Sequence, residues 1–417
     1  GVGTSSNGAG AFGASVNIST LEREKEKYIE LNNSIGSFNS RKHTLKFSTG
    51  TRKGFFISGR LSSIQSDGFI DRARSDLKAF YVSTGYSKDS NSIIRLNIFS
   101  GKEKTYQAWY GISETDLLAG NRRINYAGTE KPGSPYENET DNYQQTHYQF
   151  FWEKALRTSS RLSTAFFITR GKGYYEQYKA DQKYSTYGLT PPLQNGVPIT
   201  TADFIRQLWL DNYFYGNTTT LSFKKNKTDW TLGGTISHYL SNHFGKLIWS
   251  SNSPLTPYTW YQNKATKKEN ALFVRQQSKI NSNWVLFYDL QFRAVNYTID
   301  GFRNNPTLHV NASYLFFNPK VGITYRKQNW KSFLSYSRGA KEPNRDDFEA
   351  GVAQLSRPEK LGDLEIGVEK KTKRYQASLT FYYMHYKDQL VLTGKINDVG
   401  AYTRTNIPQS SRTGVEV

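Results

Sequence analysis

The chain has 417 residues, of which 36% are apolar and 15% aromatic, with 29 Tyr and 25 Phe. No apolar run approaches the roughly 20 residues that a membrane helix needs, and the absence of Cys excludes disulfides, thiolate nucleophiles and Cys-based metal sites. The net charge of +20 would suit nucleic acid, but Lys and Arg are spread along the chain instead of clustering on one element. We therefore expect no nucleic-acid partner, and attraction to anionic lipid headgroups or ligands.

The first residues differ in composition from everything that follows. Residues 1–13 are rich in glycine, and Val16, Asn17 and Ile18 then alternate in polarity. Glycine at this density permits tight turns and close backbone approach, although a flexible linker would have the same composition. The chain starts without an initiator Met or a signal peptide and ends inside a predicted strand, so we expect a segment of a longer precursor.

From about residue 28 onward, the predicted connections alternate between short and long. Short polar turns fall at 51–53, 87–91, 156–160, 224–229, 278–283, 326–329 and 370–374. Long connections fall at 100–142, 169–213, 239–267, 294–310, 339–361 and 387–412. An antiparallel chain that crosses a layer repeatedly places odd connections on one side and even ones on the other. Short connections on one side and long ones on the other are typical of an outer-membrane β-barrel.

Between the connections, apolar and polar residues alternate with the period of two that strands show. Leu364, Ile366 and Val368 alternate with Asp363 and Glu365. The same pattern occurs at 147–153, 284–293 and 375–383. We expect the apolar set to face lipid and the other set to face an enclosed polar lumen, because that is how barrel strands alternate.

Counting these segments predicts about 16 strands of the length that a barrel strand needs to cross a bilayer. The first lies near residues 28–36 and the last begins near Arg412. Because open sheet edges do not persist in lipid, we expect closing strands beyond residue 417, toward the roughly 22 strands of plugged transporters. The predicted fold is therefore an all-β, transmembrane, antiparallel β-barrel. Aromatic residues near the strand ends suit its interface girdles, although the core of a soluble β-protein would also use them.

Several stretches resemble one known family. GVGTSSNGAGAFGASVNIST at residues 1–20 is similar to the end of the plug domain of TonB-dependent outer-membrane receptors. SDGFIDRARSDL, GKGYYEQY, NHFGKLIW, DLQFRAVNYTIDG, SYSRGAKEPNRDDF, RPEKLGDLEIGVE and YYMHYKDQLVLTG resemble successive parts of its barrel, in the same order. The resemblance implies a plug end at 1–20 and a barrel at 21–417 that is incomplete at its C-terminus. The branch it resembles is the ferric-siderophore type, nearest to receptors of the Bacteroidetes.

The resemblance also implies a function. Receptors of this family transport scarce nutrients, with TonB pulling on an N-terminal segment that this sequence lacks. It implies a protein of the bacterial outer membrane that is not an enzyme, needs no cofactor, contacts lipid and binds a small molecule, which we expect to be a ferric chelate. Cobalamin or glycan uptake by the same mechanism is an alternative. A passive porin-type channel and a soluble or surface glycan-binding β-protein are others.

Candidate ligand contacts are rings and cations in the long connections. They are Tyr174, Tyr175, Tyr178, Arg206, Trp209, Trp249, Tyr258 and Trp260. Rings can stack on a flat chelate and Arg can neutralise its charge, although interface girdles and loop packing would use the same residues.

Other polar residues predict no catalytic or metal site. His238 and His243 are five apart, so an extended backbone places them on opposite faces. Asp363 and Glu365 share a face, and a polar lumen explains them better than a glycosidase pair. The charged cluster at 342–347 is expected to be a solvated or plug-facing ion network.

Overall fold

The computed structural model describes residues 2–5, 12, 25–89, 91–252, 257–350, 355–396 and 402–417. The strands are β1 (Lys27–Gly36), β2 (Ser40–Arg52), β3 (Phe55–Ser66), β4 (Ser75–Asp89), β5 (Ser92–Tyr106), β6 (Thr140–Arg157), β7 (Ser160–Lys183), β8 (Leu193–Gln194), β9 (Val197–Pro198), β10 (Thr201–Lys225), β11 (Thr228–Ser250), β12 (Tyr258–Lys279), β13 (Trp284–Asp300), β14 (His309–Lys327), β15 (Trp330–Lys341), β16 (Glu359–Lys371), β17 (Gln376–Ile396) and β18 (Tyr402–Glu416). Sixteen of them form one sheet in chain order, and β8 and β9 form a separate hairpin. Each neighbouring pair in the large sheet is antiparallel, as predicted.

Helices are few and short in the described parts of the chain. They are α1 (Glu114–Leu118), the 3-10 helix Tyr184–Tyr187 and α2 (Arg345–Ala350). Ser113 caps α1, because its hydroxyl accepts a hydrogen bond from the Asp116 backbone N–H. None of the helices among the described residues is long and apolar enough to cross a bilayer.

The connections have the predicted two-sided asymmetry. On one side they are 53–54, 90–91, 158–159, 226–227, 280–283, 328–329 and 372–375. On the other, those that contain described residues are 37–39, 67–74, 107–139, 184–200, 251–257, 301–308 and 342–358. Asn226 in one two-residue turn has φ 56°, the left-handed conformation that Asn tolerates and tight hairpins require.

The predicted ends of several strands are wrong. Most of the expected connection at 239–267 is strand, since β11 runs to Ser250 and β12 starts at Tyr258. The last strand begins at Tyr402 and not near Arg412. Beyond the membrane-spanning part of each strand, polar residues are mixed with rings and aliphatic side chains on both faces, so the regular alternation is lost. The backbone hydrogen-bond ladder nevertheless continues there, because pairing of N–H and C=O groups does not depend on side-chain polarity.

The two faces of the sheet differ as the alternation predicted. We call inner the face that contacts Ser5 and the connection 342–358, and outer the opposite face. On β13, the inner residues Asp289 and Arg293 are buried, with 0% and 2% exposure. Between them, Phe292 is 56% exposed on the outer face and stacks on Phe317 with ring centroids 4.7 Å apart.

The apolar band of the outer face has a clear end on the side of the long connections. Arg170, Tyr213, Leu240, Thr266 and Thr298 lie in register from β7 to β13. On the short-turn side of this row, the outer face carries apolar residues such as the stacked Phe292 and Phe317. Past it, the next outer row is polar or charged, with Lys172, Asp211, Asn242, Lys264 and Asp300, and the ring of Trp209 follows on β10. We therefore place the end of the membrane-spanning segments at this boundary row.

Apolar cores lie on the inner face, under the long connections. Tyr184, Tyr187, Phe204 and Leu247 form one cluster below the connection 184–200. Ile299, Phe302, Val310 and Phe348 form another, in which α2 packs against β13 and β14. These clusters fix the long connections against the sheet instead of leaving them extended into solvent.

Candidate ligand-binding site and the inner face

The described N-terminal residues lie against the inner face. The Ser5 backbone N–H donates to Asp289 Oδ2 at 2.8 Å, and Lys320 Nζ lies 3.3 Å from Ser5 Oγ. A Cβ at Gly339 would lie 3.2 Å from Val2, so the absence of a side chain lets the segment approach β15 closely. Most of residues 1–20 fall outside the described parts of the chain, and the division into a plug end and a barrel stays a prediction.

The connection 342–358 also folds onto the inner face. Glu342 is 6% exposed and accepts hydrogen bonds from Arg293 and Lys267, each at 2.6 Å. Asp347 forms an ion pair with Arg404 of β18 at 2.9 Å. The predicted ion network in this cluster is confirmed, but it is not solvated. Glu342 and Asp347 are buried and bind strand residues, because this part of the connection turns inward instead of outward.

A row of inner-face residues runs across the sheet beyond the boundary row. Tyr175, Leu208, Gly245 and Tyr261 are in register from β7 to β12. A Cβ at Gly245 would lie 2.4 Å from the Tyr261 ring, so glycine is needed there to make room for it. The Tyr175 ring meets Trp109 edge-on at 5.9 Å. The row therefore offers aromatic surface on the inner face, at the end of the long connections.

The charges of three arginines act on the Tyr261 hydroxyl. Burial raises the pKa of Tyr261 to about 12, against the opposing positive charges of Arg303, Arg345 and Arg206. Arg206 donates from Nε and Nη2 to Gln177 Oε1, at 3.1 and 2.8 Å, which orients its guanidinium. This cluster combines rings with positive charge, the combination that a flat anionic ligand requires.

His243 joins the cluster through Arg345. Arg345 Nη1 lies 2.9 Å from His243 Nδ1, and the Arg345 guanidinium lies 4.9 Å from the Phe302 ring. Because Arg345 can only donate, His243 Nδ1 must accept and is unprotonated. Burial, followed by the charge of Arg345, lowers the pKa of His243 to about 3. The imidazole is therefore neutral and positions the guanidinium.

This pair gives a pH prediction. His243 in the unfolded chain would titrate near pH 6.5 and in the folded chain near 3, so acid favours release of the contact. We expect residues 342–350 to bind the sheet less tightly as pH falls from about 6.5 toward 3. Hydrogen exchange at pH 7 and pH 5 measures it. His243→Gln keeps an acceptor that does not titrate and should remove the difference; an equal difference in both proteins would contradict the assignment.

The eight predicted contacts do not lie in connections and do not form one site. Tyr174, Tyr175 and Tyr178 are on β7, Arg206 and Trp209 on β10, Trp249 on β11, and Tyr258 and Trp260 on β12. Their placement in loops is wrong, because these strands extend past the boundary row. Their role in ligand binding stays a prediction.

The alternation of strands separates these residues. Tyr175 and Arg206 are on the inner face with Tyr261, whereas Tyr174 and Trp209 lie on the outer face, in register with each other. A bulge between Ile205 and Arg206 places Trp249 in the row of Tyr178, with ring centroids 6.1 Å apart. Tyr258 and Trp260 pack against the core cluster of Phe204 and Leu247 and support the sheet.

Sequence reasoning missed the other members of the inner cluster. Tyr261, Arg303, Arg345 and His243 come from four different strands or connections. The available signal was the shared face of alternate residues within one strand. Register between strands, which brings the four together, leaves no mark in a single sequence.

The remaining histidines and carboxylates have ordinary surroundings. His238 is on the outer face, hydrogen-bonded to Tyr215 at 2.7 Å, so the prediction that it and His243 occupy opposite faces is confirmed. Asp363 is 2% exposed on the inner face. Within the described residues, no three His, Asp or Glu side chains converge as metal ligands.

Comparison with known proteins identifies the class. The family described as TonB dependent receptor-like, beta-barrel matches residues 32–417. The chain belongs to this family, and both the predicted membership and the predicted β-barrel fold are confirmed. A search of curated proteins finds no match.

Solved structures show the same fold at low sequence identity. The closed form of the ferric-catecholate import receptor Fiu from E. coli K12 has a TM-score of 0.63 and 11% identity, covering 94% of this chain and 62% of that one. The copper transporter OprC has a TM-score of 0.67 and 12% identity, covering 94% of this chain and 61% of that one. The unliganded ferric citrate transporter FecA has a TM-score of 0.67 and 14% identity, covering 98% of this chain and 59% of that one. The chain thus spans about three fifths of each, and at these identities the similarity shows the fold and not the ligand.

Proposed function

We propose that the protein takes part in active transport of a scarce nutrient across the bacterial outer membrane, driven by TonB. The observation that carries this is the occupied inner face. Ser5 is fixed to Asp289 and Lys320, and the connection 342–358 binds β11, β13 and β18. A passive channel would need an open, water-filled lumen, whereas a transporter needs an obstruction that energy can move. Membership in the family supports the same conclusion.

The ligand that fits the inner cluster is a flat, anionic chelate, and we propose an iron–siderophore complex. Arg206, Arg303 and Arg345 supply positive charge beside Tyr175 and Tyr261. Charge on this scale would bring little advantage in binding a neutral glycan. Two of the similar proteins are named as a ferric-catecholate import receptor and a ferric citrate transporter, and a third is named as a copper transporter. Of the eight residues expected from the sequence, we retain Tyr175 and Arg206 as ligand contacts.

The test is uptake of radiolabelled ferric chelates by cells that express the protein from its own gene. Uptake should require TonB, and a protein that still accumulates iron in TonB-deficient cells would be a passive channel.

Arg206→Ala tests the site itself. We expect an affinity for the anionic chelate about tenfold lower, since one charge-assisted contact of about 1.4 kcal/mol is removed. Lys264→Ala is the matched control, because it removes an exposed cation from the opposite, outer face. Binding titrations of both purified proteins measure the difference. If the two substitutions act equally, the inner cluster is not the ligand site.

A further inference from the structure

Cations that are spread along the sequence gather at one end of the folded sheet. Exposed Lys or Arg residues lie in, or within two residues of, six of the seven short turns, from Lys53 to Arg374. At the same distance from these turns, the exposed acids among the described residues are Asp89 and Asp229, and Asp229 lies opposite Lys224. We call this set of exposed cations at the short-turn end the basic rim.

The opposite end of the sheet does not share this excess of positive charge. The connections 107–139 and 342–358 each contain more Asp and Glu than Lys and Arg. The net charge of +20 is therefore distributed unevenly in space, although the sequence shows no basic cluster. A surface that carries mainly one sign of charge attracts anions from beyond contact distance, so the basic rim creates a local field that favours an anionic partner.

Many cations of the basic rim point away from the lipid that surrounds a barrel. On β14, Arg326 shares the inner face with the buried Lys320. Lys227, Lys373 and Arg374 lie in the turns themselves, past the ends of the strands. Lipid contacts the outer face of a barrel wall, so these cations face the aqueous compartment on the short-turn side. Membrane lipid therefore does not account for this part of the rim.

The shape and composition of the basic rim favour a polymer over a folded protein. The residues between its cations are mostly small and polar, such as Asn226, Ser282 and Asn329. Protein interfaces are depleted in Lys and use aromatic or apolar anchors at their centres. Neighbouring hairpins of one sheet are about 10 Å apart, so the rim presents cations at intervals along a curved row. An extended chain with repeated anionic groups can contact several of these hairpins at once.

We propose that the basic rim binds the anionic peptidoglycan of the cell wall, whose stem peptides carry carboxylates at intervals along the glycan. The short turns of an outer-membrane barrel face the periplasm, where this polymer lies. Each contact between an exposed cation and a carboxylate is weak, and several contacts along one chain add to a useful affinity. The inference rests on the outer-membrane placement proposed above, which fractionation of the protein with membranes tests separately.

The test is co-sedimentation of the whole protein, purified from outer membranes in mild detergent, with lipid-free peptidoglycan sacculi. We expect binding that weakens as the salt concentration rises, because salt screens exposed charges. The rim variant combines Lys227→Gln, Arg326→Gln, Lys373→Gln and Arg374→Gln. It should bind about tenfold more weakly than the parent, since each exposed ion pair contributes roughly twofold.

A matched control removes the same charge from the long-connection end. It combines Arg41→Gln, Lys42→Gln, Lys102→Gln and Lys264→Gln, all at exposed positions, and should bind as the parent does. The rim variant should keep its fold, because backbone groups hold the turns. The Lys227 carbonyl, for example, accepts a hydrogen bond from the Lys279 backbone N–H at 3.0 Å. Heat-modifiable electrophoretic mobility verifies that each variant is folded.

Three results would overturn the proposal. One is a parent protein that does not sediment with sacculi at low salt. Another is equal binding by the rim variant and its control. The third comes from a photo-cross-linker at position 227 in intact cells, which should capture peptidoglycan fragments and would contradict the proposal by capturing a protein or a phospholipid in their place. Because the basic rim is at the opposite end of β10 from Arg206, chelate uptake should be intact in the rim variant, and failure of one proposal leaves the other standing.

Discussion

Replacing Arg293 with Met should lower the free energy of unfolding by about 3–5 kcal/mol, because it leaves buried carboxylates without their main partner. Arg293 is 2% exposed and donates to Glu269 at 2.8 Å and to both oxygens of Glu342 at 2.6 Å. Without it, Lys267 alone would face two carboxylates. Urea titration followed by electrophoretic mobility of the folded barrel measures the loss. The connection 342–358 should also become more accessible to protease, since Glu342 anchors its start.

A second substitution provides the control. Adding Glu342→Gln to Arg293→Met removes the surplus negative charge and leaves Lys267 with Glu269, 3.8 Å apart. We expect this double variant to be more stable than Arg293→Met alone, because one paired ion of each sign remains. If Arg293→Met changed stability by less than about 1 kcal/mol, as exposed ion pairs do, the network would be hydrated and not buried.

Placing Arg at position 381 should cost about 2–4 kcal/mol of stability in a bilayer, the range measured for cations on the lipid face of a barrel. Phe381 is 40% exposed on the outer face, in register with Ile366 of β16. The preceding residue, Thr380, lies on the inner face and is in register with Gly367 of β16. Folding into lipid vesicles at graded urea concentrations measures the effect.

Thr380→Arg is the matched control, with the same new side chain one residue away. It points to the inner face, where water and polar groups can solvate a guanidinium, so we expect less than about 1 kcal/mol. Equal costs at both positions would mean that the assignment of faces on β17 is incorrect.

The sequence predicted the number of strands, their antiparallel order and the side on which each connection lies. These features are local, since a turn of two to four residues and a period-two alternation are visible within one segment. Phe292 between Gln291 and Arg293 shows this directly: its neighbours are buried and it is exposed. Lipid on one side of a strand imposes that pattern, and the pattern survives without knowledge of any partner strand.

The site was harder to predict, because its members meet only through register. Tyr174 and Tyr175 look equivalent in the sequence, yet Tyr174 lies on the outer face and Tyr175 lies on the inner face beside the inner cluster. Whether a residue faced in or out was decidable only where lipid enforced the alternation, and beyond the boundary row nothing enforces it. Strand extensions there mix polar residues with rings and aliphatic side chains, which explains why all eight residues were expected in connections.

What the sequence by itself determined is the barrel wall, because every crossing of a hydrocarbon layer must obey the same local rule. What only the tertiary structure decided is the content of the inner face. Arg293 and Glu342 are 49 residues apart, and Arg345 and His243 are 102 apart. Such pairs form because curvature of the sheet and inward folding of a connection bring them together, and neither cause can be read from any short stretch of chain.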